Sequence, residues 1–319
     1  MQANTQRKLT PVAVVGAGAL GCLFGGMLAR NGAAVTLIGR ATHVEAIRQS
    51  GLLLESGNEK QVIALPATED MTAVHGAALV LFCVKSTDTD AATRAMAPHL
   101  SAGAVVLSLQ NGVDNVERIR AQIANEVFPG LVYEAAQMAA PGHVRRTGGS
   151  GVVIGQLAAY RRADGAGAAL LDAVASLFTS AGVQMRVSAE VDVDLWTKLV
   201  MNCAYNAISA LGSSPYGEMV ALADVRAIMG DAAREAAAVA AAKGIRLPAN
   251  IAADAIKIAD GMPMQISSTA QDIRRGRRTE IDHLNGYVVR AGEALGIATP
   301  VNRTLYALTK LLERRSASS

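Results

Sequence analysis

The chain has 319 residues, of which 51% are hydrophobic and 18% are charged, and its formal net charge is +3. This length is typical of two domains, and the apolar content is sufficient for two hydrophobic cores. Aromatic residues make up only 3% of the chain, and no basic cluster is larger than that at residues 274–278. The composition therefore argues against a nucleic-acid partner.

The cysteines and the apolar segments indicate where the protein is located. The three cysteines, Cys22, Cys83 and Cys203, are widely separated, which favours a reducing compartment and argues against a disulfide framework and a metal site. The first ten residues are polar, and no apolar run reaches the roughly 18 residues that a membrane span requires. We therefore expect a cytoplasmic protein with no membrane partner.

The stretch from Pro11 to Arg40 has the pattern of a dinucleotide-binding βαβ unit. A valine-rich strand, a glycine-rich turn, a helix and a second strand follow one another within about 30 residues. The first glycine permits a tight turn, the second lets a pyrophosphate approach the backbone, and the third lets helix and strand pack closely. The alternative is a glycine-rich turn in an ordinary α/β domain. The predicted cofactor loop comprises Gly16, Ala17, Gly18, Ala19, Leu20 and Gly21.

The residue after the second strand discriminates between the two nicotinamide cofactors. Sites for NAD place a carboxylate there to bind the ribose 2′-hydroxyl, whereas this chain has Arg40, whose guanidinium suits a 2′-phosphate. The sequence therefore predicts NADP(H), with a solvated surface charge as the alternative interpretation of Arg40.

Two further strand ends are expected near the cofactor. Buried parallel strands are predicted at residues 77–84 and 103–109, and Lys85 and Asn111 follow them closely. Because ligands bind at the carboxyl ends of parallel strands, both side chains should line the same crevice as the glycine turn. Lys85 could equally be a solvated lysine, and Asn111 part of a simple turn.

The remainder of the chain changes from strands to helices. Short strands are predicted at residues 130–137, 143–146 and 151–154, and the pattern beyond Ser188 is helical, with helices at 192–211, 224–243, 264–295 and from 300 onward. We therefore predict an α/β chain with a Rossmann-type NADP-binding domain at residues 1–188. An all-helical substrate and catalytic domain follows at residues 189–319.

Two polar stripes with four-residue spacing interrupt these otherwise apolar helices. Leaving such groups buried and unpaired costs roughly a few kcal/mol each, so a ligand cleft is the simplest explanation. The alternative is a pair of solvated helix faces. The stripes consist of Lys198, Asn202 and Asn206, and of Ser268, Asp272, Gly276 and Glu280.

A lysine and a carboxylate on these stripes suit ketone reduction by a nicotinamide cofactor. Hydride delivery builds negative charge on the carbonyl oxygen, which a donor must neutralise. Lys198 would be protonated at neutral pH, because an unperturbed lysine has a pKa of about 10.4. A nearby Glu280 would keep the ammonium charged.

Several motifs together resemble the ketopantoate reductase (2-dehydropantoate 2-reductase) family over nearly the whole chain. They are VVGAGALG at 14–21, the strand end at 84–85, LQNGV at 109–113, LWTKLVMNCAYNAISAL at 195–211 and SSTAQDIRRGRRTEID at 267–282. The resemblance implies NADPH-dependent reduction of 2-dehydropantoate to (R)-pantoate, on the route to pantothenate and coenzyme A. Its partner would be a small-molecule 2-oxo acid, and a homodimer is compatible with it.

The resemblance also implies roles for single residues. Lys198 looks like the family's catalytic acid and Glu280 like its partner carboxylate. Arg40 looks like the residue that favours NADPH, and Lys85 and Asn111 look like residues between cofactor and substrate. The residues that resemble the family's substrate contacts, or their support, are Asn111, Lys198, Asn202, Asn206, Ser268 and Asp272.

Two positions depart from the family pattern and bear on the choice of substrate. Gln265 stands where the family commonly has asparagine, and Thr269 where it commonly has methionine. A related NADP-dependent reductase of another 2-oxo or β-hydroxy acid is therefore the second hypothesis. A non-catalytic NADPH-binding sensor is the third, although a sensor would need neither Lys198 nor Glu280.

Overall fold

The computed structural model describes residues 9–316, which form two compact units. The first unit extends to Gln110 and resumes from Asp114 to Val191, while the second comprises Asn111–Val113 and the chain from Asp192 onward. Each unit has its own apolar core, one built around Phe24 and Phe178 and the other around Tyr205.

The first unit is organised around a ten-stranded mixed sheet in the order β4-β3-β9-β8-β7-β6-β1-β2-β5, with β10 beside β9. The strands are β1 Val12–Val15, β2 Val35–Ile38, β3 Leu52–Ser56, β4 Glu59–Ile63, β5 Ala67–Thr68, β6 Leu79–Phe82, β7 Val105–Ser108, β8 Glu126–Ala140, β9 His143–Gly155 and β10 Met185–Ser188.

The half of the sheet that follows the glycine motif is parallel. β1 pairs with β2 on one side and with β6 on the other, and β7 and β8 continue beyond β6. All four residues of β1, of β6 and of β7 are buried, as expected for strands covered on both faces. This half has the order of a Rossmann-type domain, and the predicted fold class is confirmed.

The strands after β7 differ from the prediction. Instead of three short strands, β8 and β9 form one long antiparallel pair with three register shifts. The glycines at 148 and 149, which lie between two of the predicted strands, are inside β9 at φ values of 157° and 132°. Glycine tolerates these backbone angles, so the strand continues through irregular pairing rather than ending.

Helices cover the sheet and build the second unit. Those of the first unit are α1 Ala19–Arg30, α2 Ala41–Ser50, α3 Thr89–Met96, α4 Asn115–Arg120 and α5 Ala166–Ser180. The others are α6 Val191–Gly212, α7 Tyr216–Ala221, α8 Ala223–Ala242, α9 Ile251–Gly261, α10 Ser268–Arg274, α11 Asn285–Leu295 and α12 Pro300–Ser316. Between residues 192 and 316 the chain forms only helices, turns and loops.

The single helix predicted at residues 264–295 is wrong. The structure has α10, then a loop, a short 3-10 turn at Ile281–His283, and α11. Gly276 has a φ of +60°, a left-handed conformation that ends a helix and that glycine adopts at little cost. The helical stripe therefore ends with Ser268 and Asp272, and neither Gly276 nor Glu280 continues it.

Among residues 9–316, no helix combines the length and the apolar character needed to cross a bilayer.

Candidate active site

Close packing makes glycine necessary at both ends of the turn between β1 and α1. Gly16 has a φ of +107°, and a Cβ there would lie 2.7 Å from the backbone of Cys83 and Val84. A Cβ on Gly21 would lie 2.1 Å from the carbonyl oxygen of Gly16. The turn is therefore held tightly against α1 and against residues 83–84, which follow β6 and directly precede Lys85.

The middle glycine is different, because open space surrounds it. Gly18 is the N-cap residue of α1 with an extended backbone, and a Cβ there would meet nothing within 4 Å. No side chain caps this helix, and no acidic residue lies in its first turn. The first N–H groups of a helix lack partners within the helix, so they can hold an anion. The loop thus fits the pyrophosphate of a dinucleotide, with Ala17 buried beneath it.

Arg40 is the N-cap residue of α2 and follows the end of β2 by two positions. The preceding residue, Gly39, leaves no room for a Cβ, which would lie 2.5 Å from that of Ala17. The Arg40 side chain is 90% exposed, and its Nη2 lies 3.7 Å from Oδ2 of Asp88. Asp88 is not among the site residues predicted from the sequence, although it follows Lys85 by only three residues. The structure thus places a carboxylate beside the guanidinium that is predicted to bind the 2′-phosphate.

A buried polar network fixes the chain around Lys85. Lys85 is partly buried, and the carbonyl oxygen of the preceding Val84 accepts a hydrogen bond from Gln110 Nε2 at 3.0 Å. The same nitrogen donates to Thr89 Oγ1 at 2.7 Å, while Gln110 Oε1 accepts from Ser108 Oγ at 2.9 Å. Gln110 therefore links the loops after β6 and β7. Its only sequence signal is a polar residue directly after a buried strand.

In the second unit, the predicted lysine and asparagine stripe runs along α6 into the interior. Lys198 and Asn202 are partly buried, and Asn206 is only 4% exposed. Their neighbours Leu199, Val200 and Cys203 are fully buried, so the stripe lies within an apolar helix face. A solvated polar face, the alternative interpretation, would leave these three polar side chains exposed, and they are not.

Glu280 and Lys198 interact electrostatically in this unit. Burial lowers the pKa of Lys198 to about 8, and the charge of Glu280 opposes that shift. Asn111 Nδ2 donates a hydrogen bond of 3.1 Å to Glu280 Oε2. The structure therefore brings together three predicted site residues that are 82 or more positions apart along the chain, as their numbers show.

The remaining predicted residues lie on or near α10. Ser268 is exposed in its first turn, and Asp272 is partly buried one turn later. The neighbouring Ser267, which sequence reasoning did not single out, caps α10 through Ala270 N and donates to the carbonyl oxygen of Asn206 at 3.1 Å. Of the two positions that depart from the family pattern, Gln265 is exposed and Thr269 is buried.

A dinucleotide-type turn in the first unit and a lysine paired with a carboxylate in the second define the class of nicotinamide-dependent oxidoreductases. Comparison with known proteins narrows this class. The sequence model of ketopantoate reductase PanE/ApbA matches residues 12–159, and that of its C-terminal part matches residues 190–313. The chain belongs to the ketopantoate reductase family.

Relatives and solved structures extend this similarity over nearly the whole chain. A 2-dehydropantoate 2-reductase of Halobacterium salinarum is 35% identical over 306 residues, covering 95% of this chain and 99% of that protein. A PanE/ApbA family ketopantoate reductase from Ralstonia eutropha JMP134 is 49% identical with a TM-score of 0.88, covering 96% and 99% of the two chains. A D-mandelate dehydrogenase, solved with NADH and anilino(oxo)acetate, is 26% identical with a TM-score of 0.88 and covers the same shares.

The contrast between Gly18 and Gly21 yields a test of the cofactor loop. Gly18→Ala should raise the Kd for NADPH at least about tenfold, because its methyl group enters the space open to the pyrophosphate, while the melting temperature stays unchanged. Gly21→Ala should instead lower stability by about 1–3 kcal/mol through overpacking. Titration calorimetry and thermal unfolding measure the two effects. Unchanged NADPH affinity in Gly18→Ala would contradict the assignment of the loop.

The ion pair of Arg40 with Asp88 predicts that the charge of Asp88 weakens the preference for NADPH over NADH. Asp88→Asn should raise the ratio of kcat/KM for NADPH to that for NADH about fivefold at low salt. The change releases Arg40 and removes a negative charge near the 2′-phosphate, and exposed pairs are worth up to about 1 kcal/mol. Asp90→Asn, which alters a carboxylate paired with Arg118, is the matched control. An equal ratio in Asp88→Asn and the unaltered enzyme would refute this role.

Proposed function

We propose that this chain reduces the ketone of 2-dehydropantoate to (R)-pantoate with NADPH. The observation that carries the proposal is the partly buried Lys198, whose charge is supported by Glu280 in a family of ketopantoate reductases. The curated relatives over nearly the full length act on this substrate by name. The Lys198 and Glu280 pair also speaks against a sensor that only binds the cofactor.

The first unit holds the cofactor in this proposal. The glycine turn binds the pyrophosphate through backbone N–H groups, Arg40 binds the 2′-phosphate, and Lys85 serves a phosphate or the substrate carboxylate. NADPH, when bound, supplies the hydride that reduces the carbonyl carbon. Three cysteines without disulfide bonds fit the reducing cytoplasm in which we place the enzyme.

Lys198 acts as the general acid. Its Nζ donates a proton to the carbonyl oxygen of the substrate as negative charge develops there, which yields the hydroxyl of the product. With a pKa of about 8, the amine is mostly protonated at neutral pH and is a stronger acid than an exposed lysine. A group whose pKa lies near the working pH is best suited to transfer a proton.

Glu280 and Asn111 support this acid. The carboxylate of Glu280 stabilises the ammonium form of Lys198, and the hydrogen bond from Asn111 fixes one of its oxygens. Asn202, Asn206 and Ser268 are the proposed substrate contacts. Asp272, one helical turn after Ser268, is the proposed support for that part of the site.

Steady-state oxidation of NADPH with a panel of 2-oxo acids tests the function. We expect 2-dehydropantoate to exceed 2-oxoisovalerate, which lacks its hydroxymethyl group, and phenylglyoxylate, the 2-oxo acid of mandelate, by about tenfold or more in kcat/KM. Lys198→Ala should lower kcat by about 10²–10⁴-fold and leave the Kd for NADPH within about twofold. Highest activity with another acid would reassign the substrate, and no turnover with any acid would refute a reductase.

A further inference from the structure

The loop between α10 and the 3-10 turn carries Glu280 but has no regular hydrogen-bonding pattern of its own. Outside helices and strands, side chains or water must satisfy the backbone polar groups and fix the chain. Glu280 lies at the end of this loop, between Thr279 and Ile281, both of which are 0% exposed. The position of the carboxylate therefore depends on what holds its two neighbours.

Thr279 is anchored to the last helix of the chain. Its backbone N–H and its hydroxyl both donate to Oε1 of Glu313 in α12, at 2.7 and 2.5 Å. The hydroxyl oxygen also accepts from the N–H of Ile281 at 3.2 Å, so it spans the residue that carries the catalytic carboxylate. Hydrogen bonds to a carboxylate are stronger than those between neutral groups.

The same helix holds the other side of Glu280. Asp282 accepts from the hydroxyl of Tyr306 at 2.7 Å and from Lys310 Nζ at 2.9 Å. Lys310 also lies 2.7 Å from Oε2 of Glu313, which joins the two anchors into one network. Arg278, at 3.7 Å, is a further charged group beside Asp282. Both flanks of Glu280 are thus fixed by side chains of α12.

Further contacts outside this network attach α12 to the rest of the chain. Its first turn is held by Glu235, whose carboxylate accepts from the N–H groups of Val301 and Asn302, each at 2.9 Å. Asn302, Leu305 and Thr309 are buried along the helix. Glu313 lies further toward the C-terminus, so α12 is also docked by contacts other than its bonds to Thr279, which favours a role of Glu313 at the loop.

We propose that Thr279 and Glu313 are positioning residues that hold the Glu280 carboxylate where it acts on Lys198. The inference rests on the proposed function of that pair and extends it to Thr279 and Glu313, which are 81 and 115 positions from Lys198 along the chain. Neither residue touches the reacting atoms. Without their bonds, the loop would let Glu280 move away and the ammonium would lose its counter-charge.

The charged groups of the network do not obscure a titration of Lys198. Burial works against the charge of Lys310, but its bonds to Glu313 and Asp282 raise its pKa above the ordinary lysine value. Burial likewise disfavours the charged form of Asp282, yet Lys310 and Tyr306 lower its pKa. Both groups therefore stay ionised through the range near pH 8 in which Lys198 titrates.

The test compares Thr279→Val with Thr279→Ser in the full-length enzyme. Valine keeps the shape but removes the hydroxyl, so kcat should fall about tenfold while the KM for NADPH stays within about twofold. Because burial alone then acts on Lys198, the pH at which kcat declines on the alkaline side should fall by about one unit. Thr279→Ser, which keeps the hydroxyl, should restore both values.

Thr309→Val is the matched control, since its buried hydroxyl bonds only to the carbonyl oxygen of Leu305 in the same helix. It should lower the melting temperature without shifting the pH at which kcat declines on the alkaline side. The proposal would be overturned if Thr279→Val made the enzyme less stable but left the alkaline decline of kcat at the same pH as in the unaltered enzyme. If this variant does not fold, Glu313→Ala is measured in the same way. An unchanged pH of the alkaline decline in Glu313→Ala would also overturn the proposal.

A second readout separates this proposal from the proposed function. The reactivity of the Lys198 amine toward acetic anhydride, followed across pH by mass spectrometry, needs no substrate. A downward shift in Thr279→Val supports the positioning role even if 2-dehydropantoate is not turned over. An unchanged titration in an active enzyme would refute the positioning role alone.

Discussion

The electrostatic balance at Lys198 is the constraint on which the proposed chemistry depends. Burial disfavours the ammonium and lowers its pKa, whereas the charge of Glu280 favours it. Burial alone would lower the pKa further and leave less of the amine protonated, and full exposure would leave a weak acid. Because the two effects oppose each other, the amine is both protonated at neutral pH and able to release its proton readily.

The surrounding chain is arranged to maintain that balance. The apolar face of α6 supplies the burial, and the amide of Asn111 holds one oxygen of Glu280. Polar side chains of α12 fix the residues on both sides of Glu280. A catalytic group is held more accurately when its supports belong to regular helices, although Glu280 itself lies in a loop.

In the first unit, the glycine turn is suited to a cofactor by its shape rather than by charged side chains. Gly16 and Gly21 are required because any Cβ there would collide with the backbone, whereas Gly18 faces open space. A loop with this combination presents N–H groups to an anion and excludes side chains from the place where it binds. The exposed guanidinium of Arg40, which we propose distinguishes NADPH from NADH, lies beside the carboxylate of Asp88.

The sequence predicted the features that arise from local patterns. The order of strand, glycines and helix predicted the parallel half of the sheet, and four-residue spacing predicted the stripe on α6. The helix predicted at 264–295 was wrong because Gly276 adopts a left-handed conformation, which spacing does not reveal. The long strand β9 was missed because its glycines resemble a break.

Contacts between distant residues were beyond such reasoning. Thr279 and Glu313 are 34 residues apart, and neither belongs to a periodic polar pattern that would point to the other. Asp88 and Gln110 follow strand ends that the sequence identified, but their partners depend on how neighbouring strands align. The lysine and carboxylate were proposed as a pair only through chemical reasoning and family resemblance.

A direct titration of Lys198 tests the central claim most clearly. Its pKa can be measured by amine-specific acetylation with mass spectrometry in the unaltered chain and in Glu280→Gln. The account predicts a pKa of about 8 in the unaltered chain and a lower value when the carboxylate becomes a neutral amide. An ordinary lysine pKa of about 10.4 in both proteins would contradict it.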